Sequence, residues 1–475
     1  MSPVGNAFRE GAPASGMACP LRSEGGRMRR AIALIDGEHY PPVVRSALDA
    51  FAGSHDIVGA VFIGGTEKIG PSAAREAYGV PVIPGAANPA DALREAIARW
   101  VPEIVLDLSD EPVVTASARF ALASIALGLG VDYLGADFEF RAPRVLYEPR
   151  TPTLAIIGTG KRVGKTAVSA HVARALKAGG RDIVVVAMGR GGPAEPELIY
   201  GDRVALTTED LLAFAAQGRH AASDSYEDAI MSRVTTVGCR RCGGGLAGDV
   251  AFSNVPKGAR KADSLGKELI VLEGSGAAIP PVAADATLLV VGAGRGVPYV
   301  RDYFGPYRLG RADAVIISGA EEPIATPAEC AEIVAAVRRE RNDIPLALVT
   351  FRPRPLEDIS GAQVFFTTTA PRDLIPVLAA HLERECGCEV VGTSPHLSDR
   401  TRLRADLAAS AGRYELLVTE LKAAAIDVVA AEGARTGVRT VLCDNEPRTV
   451  DGSDLGALIE GLVRRCTNHH DTRSR

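Results

Sequence analysis

The chain has 475 residues, too many for one ordinary hydrophobic core, and its 47% hydrophobic and 23% charged residues are those of a soluble globular protein. A formal net charge of −5 attracts neither nucleic acid nor an anionic membrane surface, and no apolar run reaches the roughly 18 residues needed to span a bilayer. Eight cysteines scattered over this length do not make a disulfide framework, which fits a reducing cytoplasm.

Residues 1–27 are rich in Gly, Pro, Ala and Arg and lack a long apolar segment, so a disordered extension is expected there rather than a secretory signal, with Met28 as an alternative start. From Arg30 the run Ala-Ile-Ala-Leu-Ile reads as a buried strand that ends in the polar loop Asp36-Gly37-Glu38-His39-Tyr40-Pro41-Pro42. Further strands at 57–63, 81–83 and 104–108 alternate with helical segments at 43–51, 72–78, 91–99 and 114–129. That alternation predicts an N-terminal α/β domain, residues 28–145, with a doubly wound parallel sheet. Ligands of such sheets bind beyond the carboxyl ends of the strands, where Asp36, Glu38, His39, Asp107 and Asp110 lie. The other reading of Asp36 is a cap for the next helix. Three prolines between residues 141 and 152 mark a domain boundary, after which a second α/β domain spans 150–390 and a C-terminal α/β extension 391–475.

The second domain opens with its most informative stretch. Leu154 to Ile157 is an apolar strand, Gly158-Thr159-Gly160-Lys161-Arg162-Val163-Gly164 is a glycine-rich turn, and Lys165-Thr166 start an alanine-rich helix. Glycines let successive backbone N–H groups converge on phosphate oxygens, and the positive end of the helix adds to the field. Lys165 would then reach the terminal phosphates of ATP and the Thr166 hydroxyl would ligate Mg²⁺. The chain has only 8 Lys among its 53 basic residues, yet two of them, Lys161 and Lys165, fall in this turn. The usual pattern has Gly where Thr159 stands, flanked here by Gly158 and Gly160. In this respect the loop resembles that of dethiobiotin synthetase and its relatives. Lys161 lies one place out of register with a second lysine found in some of that class, and that role is not assigned to it.

Beyond the loop, a strand at 183–186 runs into Met188-Gly189-Arg190-Gly191-Gly192-Pro193, and a helix is expected at 207–218. The acidic run from Ser223 to Ile230 reads as a solvated helix face, with catalytic carboxylates as the alternative. Cys239-Arg240-Arg241-Cys242 followed by Gly243, Gly244 and Gly245 offers two readings: a cysteine pair for metal or redox work, or paired guanidiniums that capture a phosphate beside a close-approach glycine turn. An ordinary surface turn is the plain alternative. Leu269 to Leu272 is an apolar strand that delivers Glu273 at its carboxyl end beside Gly274-Ser275-Gly276, as a Mg²⁺-linked acid requires. A strand at 286–291 leads to Arg295 and the basic residues Arg301, Arg308 and Arg311. Later strands follow at 314–318, 346–350 and 364–367, and a final unit from Tyr414 to near Asp444 either completes the central sheet or forms a small lobe.

Taken together, Leu34-Ile-Asp36-Gly-Glu38-His39-Tyr40-Pro-Pro, the loop Gly158 to Thr166, Gly238-Cys-Arg-Arg-Cys-Gly-Gly-Gly245 and Glu273-Gly-Ser-Gly resemble the cyclic 2,3-diphosphoglycerate synthetase family over nearly the whole chain from Met28 to Asp444. The resemblance implies ATP-dependent closure of 2,3-diphosphoglycerate to its cyclic anhydride with release of ADP and phosphate. It implies catalytic roles for Lys165, Arg240, Arg241 and Glu273. Asp36, Glu38, His39, Arg190, Arg240, Arg241, Gly244 and Arg295 become the expected substrate contacts, and Thr166 and Glu273 the expected metal ligands. ATP and Mg²⁺ are the cofactors, the substrate is a small anion, neither nucleic acid nor membrane is a partner, and a homodimer is the expected assembly. A dethiobiotin-synthetase-like carboxylate ligase, or a nucleotide-gated switch or metallochaperone using the cysteine pair, are the alternatives.

Overall fold

Short β-branched runs alternating with helices build two sheets dominated by parallel pairing, as the sequence pattern requires. The computed structural model describes residues 27–473 apart from 71, 72, 74 and 75. The expected N-terminal extension therefore lies outside the described residues, save Arg27, and so does part of the helix expected at 72–78. The described chain separates into two compact units. One comprises the residues up to Val114 with Val131–Glu139, and the other Thr115–Gly130 with the chain from Phe140 onward.

In the first unit β1 (Arg29–Ile35), β2 (His55–Phe62), β3 (Val82–Pro84), β4 (Ile104–Asp107) and β5 (Asp132–Leu134) lie in the order β3-β2-β1-β4-β5, and the two-residue β6 (Glu139–Phe140), at whose first residue the unit ends, follows β5. Strands β1 to β5 pair in parallel. The order reverses between β1 and β4, and the chain leaves both strands through polar loops at that point. Asp36 joins the two loops. It is fully buried, one carboxylate oxygen accepts from the Glu38 and His39 backbone N–H groups and from His39 Nδ1, and the other accepts from Asp110 N at 2.8 Å. Both oxygens are engaged with the fold, so Asp36 anchors the two loops to one another. The helix Ala116–Gly128 belongs to the second unit, where Phe120 meets Phe304 edge-on at 5.3 Å.

The second unit carries β7 (Thr153–Gly158), β8 (Ile183–Gly189), β9 (Glu197–Tyr200), β10 (Thr235–Cys242), β11 (Phe252–Ser253), β12 (Leu269–Glu273), β13 (Ala286–Gly292), β14 (Ala314–Ser318), β15 (Leu346–Pro355), β16 (Gln363–Thr367), β17 (Glu389–Ser394), β18 (Leu416–Glu420) and β19 (Arg439–Thr449). The order is β11-β10-β8-β12-β7-β13-β14-β15-β19-β18-β16-β17, with β9 antiparallel on β10. Strand β7 sits centrally between β12 and β13, and it is apolar from Leu154 to Ile157 and buried along its length. Antiparallel pairing of β15 with β19 carries the sheet on into the C-terminal strands. Residue 391 lies inside β17, so those strands complete the central sheet and form no detached lobe.

The helix Lys165–Ala178 buries Val168, Val172, Ala173 and Leu176 against this sheet, and the C-terminal helix Leu455–Arg473 adds Ile459, Leu462, Val463 and Cys466 to the same core. No described helix is long and apolar enough to cross a membrane.

Replacing Asp36 by Ala strands several buried donors, which costs about 2–4 kcal/mol. The single tryptophan, Trp100, packs on Gly59 within the same unit, so its fluorescence reports the loss as a lower denaturant midpoint; an unchanged midpoint would refute the anchor role.

Candidate active site

The carboxyl ends of β7, β8, β10 and β12 converge at one place. The phosphate loop leaves β7 and is held from below by Ser318 at the end of β14, whose hydroxyl donates to Val163 O at 2.7 Å. Thr159 N donates to Val290 O at 3.1 Å. Two residues of the turn take left-handed backbone, Arg162 at φ 62° and Gly164 at φ 81°. A Cβ on Gly164 would stand 2.2 Å from the Phe351 ring, and one on Gly158 would stand 2.8 Å from Lys165 Cδ. Glycine at these two places lets the turn close and lets the lysine lie across the loop.

Lys165 is buried and its Nζ donates to Gly160 O at 2.7 Å. Burial lowers its pKa to about 8, with Arg190 and Arg241 pushing the same way and Glu273 and Asp224 opposing. The ammonium therefore lies among charges of both signs. Glu273, at the end of β12, is hydrogen-bonded to Thr166 and faces Asp228, and burial lifts its pKa to about 7. Asp228 is fully buried, and burial together with Glu273 raises its pKa well above the ordinary value.

These acids correct one expectation. The run from Ser223 to Ile230 is no solvated face: it forms the helix Asp224–Ser232, nearly all of it buried, and turns Asp224, Glu227 and Asp228 toward Glu273 and Lys165. Their i, i+3, i+4 spacing, which places three carboxylates on one helical face, was the available signal. Burial pushes Glu227 up to about 8, and its Oε1 lies 3.2 Å from the Nζ of Lys422. Burial would lower the pKa of Lys422, but Glu227 and Glu420 outweigh it and raise it. Lys422 comes from the loop after β18, beside the left-handed Ala423 and a π-helical turn at Ala425–Ala430, and no local motif marked it.

Arg240 and Arg241 do not act as a pair. Successive residues of β10 face opposite ways. Arg240 Nε donates to Pro193 O at 2.7 Å, whereas Arg241 turns to the Glu273 side, donating to Ser275 O at 2.7 Å and Gly243 O at 3.1 Å. A Cβ on Gly244 would stand 3.2 Å from Arg241 Nη1, and one on Gly276 2.5 Å from Arg190 Nη2 and 3.1 Å from Arg241 Nη2. Arg190 and Arg241 thus flank the turn that follows Glu273. Arg295 is elsewhere, with Nη2 3.4 Å from Lys161 O and its guanidinium over the Tyr299 ring, on the phosphate-loop side. Cys239 is buried and Cys242 exposed, three residues apart on one strand, which rules out a shared metal or redox pair. Burial raises the Cys239 thiol to about 12.

His39, Asp107 and Asp110 line a cavity of about 400 Å³ in the first unit, otherwise walled by Val43, Val44 and Leu106 among other apolar groups.

A divalent cation fits beside the phosphate loop. Glu273 Oε2 and both Asp228 oxygens are buried without a hydrogen-bond partner, next to the Thr166 hydroxyl. Among the described residues no three acidic, His or Cys side chains form a metal cage of their own.

Family models described as cyclic 2,3-diphosphoglycerate synthetase match three segments: the N-terminal domain at residues 30–141, the P-loop domain at 153–349 and the C-terminal domain at 355–446. The chain is 49% identical over 435 residues to the cyclic 2,3-diphosphoglycerate synthetase of Rubrobacter xylanophilus, covering 90% of this chain and 96% of that one. It is 44% identical over 447 residues to that of Methanothermus fervidus, covering 92% and 97%. Among solved structures, the ATP complex of LpxK from Aquifex aeolicus aligns at 13% identity over 67% of this chain and 89% of that one, with a TM-score of 0.40, too slight a likeness to argue from.

Glu273→Gln separates stability from activity. A folded-state pKa near 7 lies above the ordinary 4.5, so the folded protein loses stability as pH rises from about 4.5 to 7 and does not regain it above. The amide removes that repulsion and can donate to Asp228. At pH 8 the metal-free variant should be about 1–3 kcal/mol more stable than the parent by denaturant titration, and inactive. Equal or lower stability would contradict the buried-charge assignment.

Proposed function

The chain belongs to the cyclic 2,3-diphosphoglycerate synthetase family, and from that premise we propose that it closes 2,3-diphosphoglycerate to the cyclic anhydride, with ATP converted to ADP and phosphate. The observation that carries this reading is the junction of a phosphate loop with two arginines, Arg190 and Arg241, on the turn after Glu273. The loop supports an ATP-dependent enzyme, and the arginines support an acceptor that is itself phosphorylated.

The γ-phosphoryl group of ATP lies over Lys165 and passes to an oxygen of one substrate phosphate, releasing ADP. An oxygen of the second substrate phosphate then attacks the phosphorus of the first, closing the ring and expelling the transferred group as orthophosphate. Phosphate oxygens are already ionised, so neither step needs a general base. The obstacle is charge. At an effective dielectric of 20, two unit charges 4 Å apart repel by about 4 kcal/mol, and two dianions by several times that. Arg190 and Arg241 offset this on the acceptor side, while Lys165 does so on the donor side, where Arg295 at the Lys161 carbonyl adds positive charge. Arg240 positions the Pro193 loop behind Arg190.

Thr166 and Glu273, with Asp228 beside Glu273, would hold Mg²⁺, which when bound neutralises phosphate charge. Lys422 keeps Glu227, on the same helix, from adding a further bare negative charge.

Lys165→Ala should lower ATP turnover at least about 10²-fold with the fold intact by circular dichroism, and near-normal turnover would overturn the loop assignment. Arg241→Ala should raise the KM for 2,3-diphosphoglycerate by about tenfold or more with the KM for ATP little changed; steady-state kinetics with each substrate varied would show the reverse ranking if Arg241 served the nucleotide.

A further inference from the structure

Arg308 is 4% exposed, forms no ion pair among the described residues, and lies on the short helix Gly305–Gly310 with no assigned role. A buried guanidinium without a counter-ion is costly, and an apolar side chain would serve packing better. What it touches is specific. Nη1 donates to Phe304 O at 3.1 Å, and Nη2 donates both to Leu246 O at 3.1 Å and to Ala277 O at 2.7 Å. Leu246 belongs to the glycine loop after β10, and Ala277 to the turn after Glu273.

Arg241 bridges the same two segments from the site side, through Gly243 O and Ser275 O. A third tie, Ile279 N to Gly248 O at 2.8 Å, runs between them. The glycine loop has little stiffness of its own: Gly243 and Gly248 take φ of 69° and 101°, and Leu246 at its tip is exposed. A side chain at Gly276 would meet Arg190 Nη2 at 2.5 Å and Arg241 Nη2 at 3.1 Å, so this turn runs close beside both guanidiniums.

We propose that Arg308 is a positioning residue for the acceptor side of the site, clamping the glycine loop to the turn after Glu273 and so fixing the pose of Arg241. This rests on the reading of Arg241 as the acceptor-phosphate contact. The clamp acts through Arg241 and does not touch substrate.

The test uses the full-length protein with Arg308→Lys, which keeps charge but cannot span two carbonyls in one plane, and Arg308→Met as a second variant. Hydrogen exchange of residues 243–248 and 275–279 should speed up by about tenfold or more in both variants, with the phosphate loop unchanged. The KM for 2,3-diphosphoglycerate should rise by about tenfold with the KM for ATP within about twofold, and in an Arg241→Ala background Arg308→Lys should add less than about twofold. Unchanged exchange at those segments, equal rises in both KM values, or full additivity with Arg241→Ala would overturn the clamp. Wild-type protein without turnover on 2,3-diphosphoglycerate would instead defeat the acceptor reading, and the exchange data would still decide whether the clamp exists. If Arg308→Met fails to fold, Arg308→Lys decides alone.

Discussion

A cluster of four carboxylates facing Lys165 and Lys422 sets the terms for the rest of the second unit. Glu273 and Asp228 face each other without an intervening donor, Asp224 and Glu227 stand on the same helix, and Lys165 lies within their field. Such a cluster is unfavourable in an empty protein, because burial and mutual repulsion both oppose ionisation. On the proposed function, a divalent cation and a polyphosphate entering together would offset it. The site would then be one whose ligands complete its charge balance, at a cost in the stability of the empty fold.

Several parts of the chain supply the compensation. Lys165 comes from the phosphate loop, Arg190 and Arg241 from the ends of β8 and β10, and Lys422 from the C-terminal strands. The antiparallel junction of β15 and β19 puts the last of these on the same sheet as the loop, so the C-terminal region is part of the electrostatic design of the site. Packing adds rigidity. Phe351 of β15 fills the space beside Gly164, and Ser318 of β14 supports Val163 from beneath.

Local patterns revealed most of the framework. The strand–turn–helix at Leu154 to His171 and the apolar strand ending in Glu273 were legible because a phosphate loop and a strand-terminal acid are written in consecutive residues. Their adjacency in the sheet followed from the rule that parallel strands present ligands at their carboxyl ends. Other features depend on tertiary contacts. Asp224, Glu227 and Asp228 looked like a wet helix face because acids usually are wet, and only the packing of that helix against β8 and β10 buries them. Arg240 and Arg241 looked like a pair because they are adjacent, yet strand geometry sends them apart. Asp36 stood at a ligand-facing strand end and proved to be tied to Asp110, 74 residues away, which no local pattern reports. Lys422 was silent for the same reason, and Arg308 showed only as one basic residue among several, because their partners are distant in sequence.

Phosphorus NMR of the purified protein with Mg-ATP and 2,3-diphosphoglycerate tests the proposed chemistry most directly. Resonances of a cyclic pyrophosphate, growing with ADP and orthophosphate in equal amounts, are the expected result. ADP and orthophosphate without the cyclic product, or no change in the 2,3-diphosphoglycerate resonances, would contradict ring closure and leave Arg190 and Arg241 with a different anion.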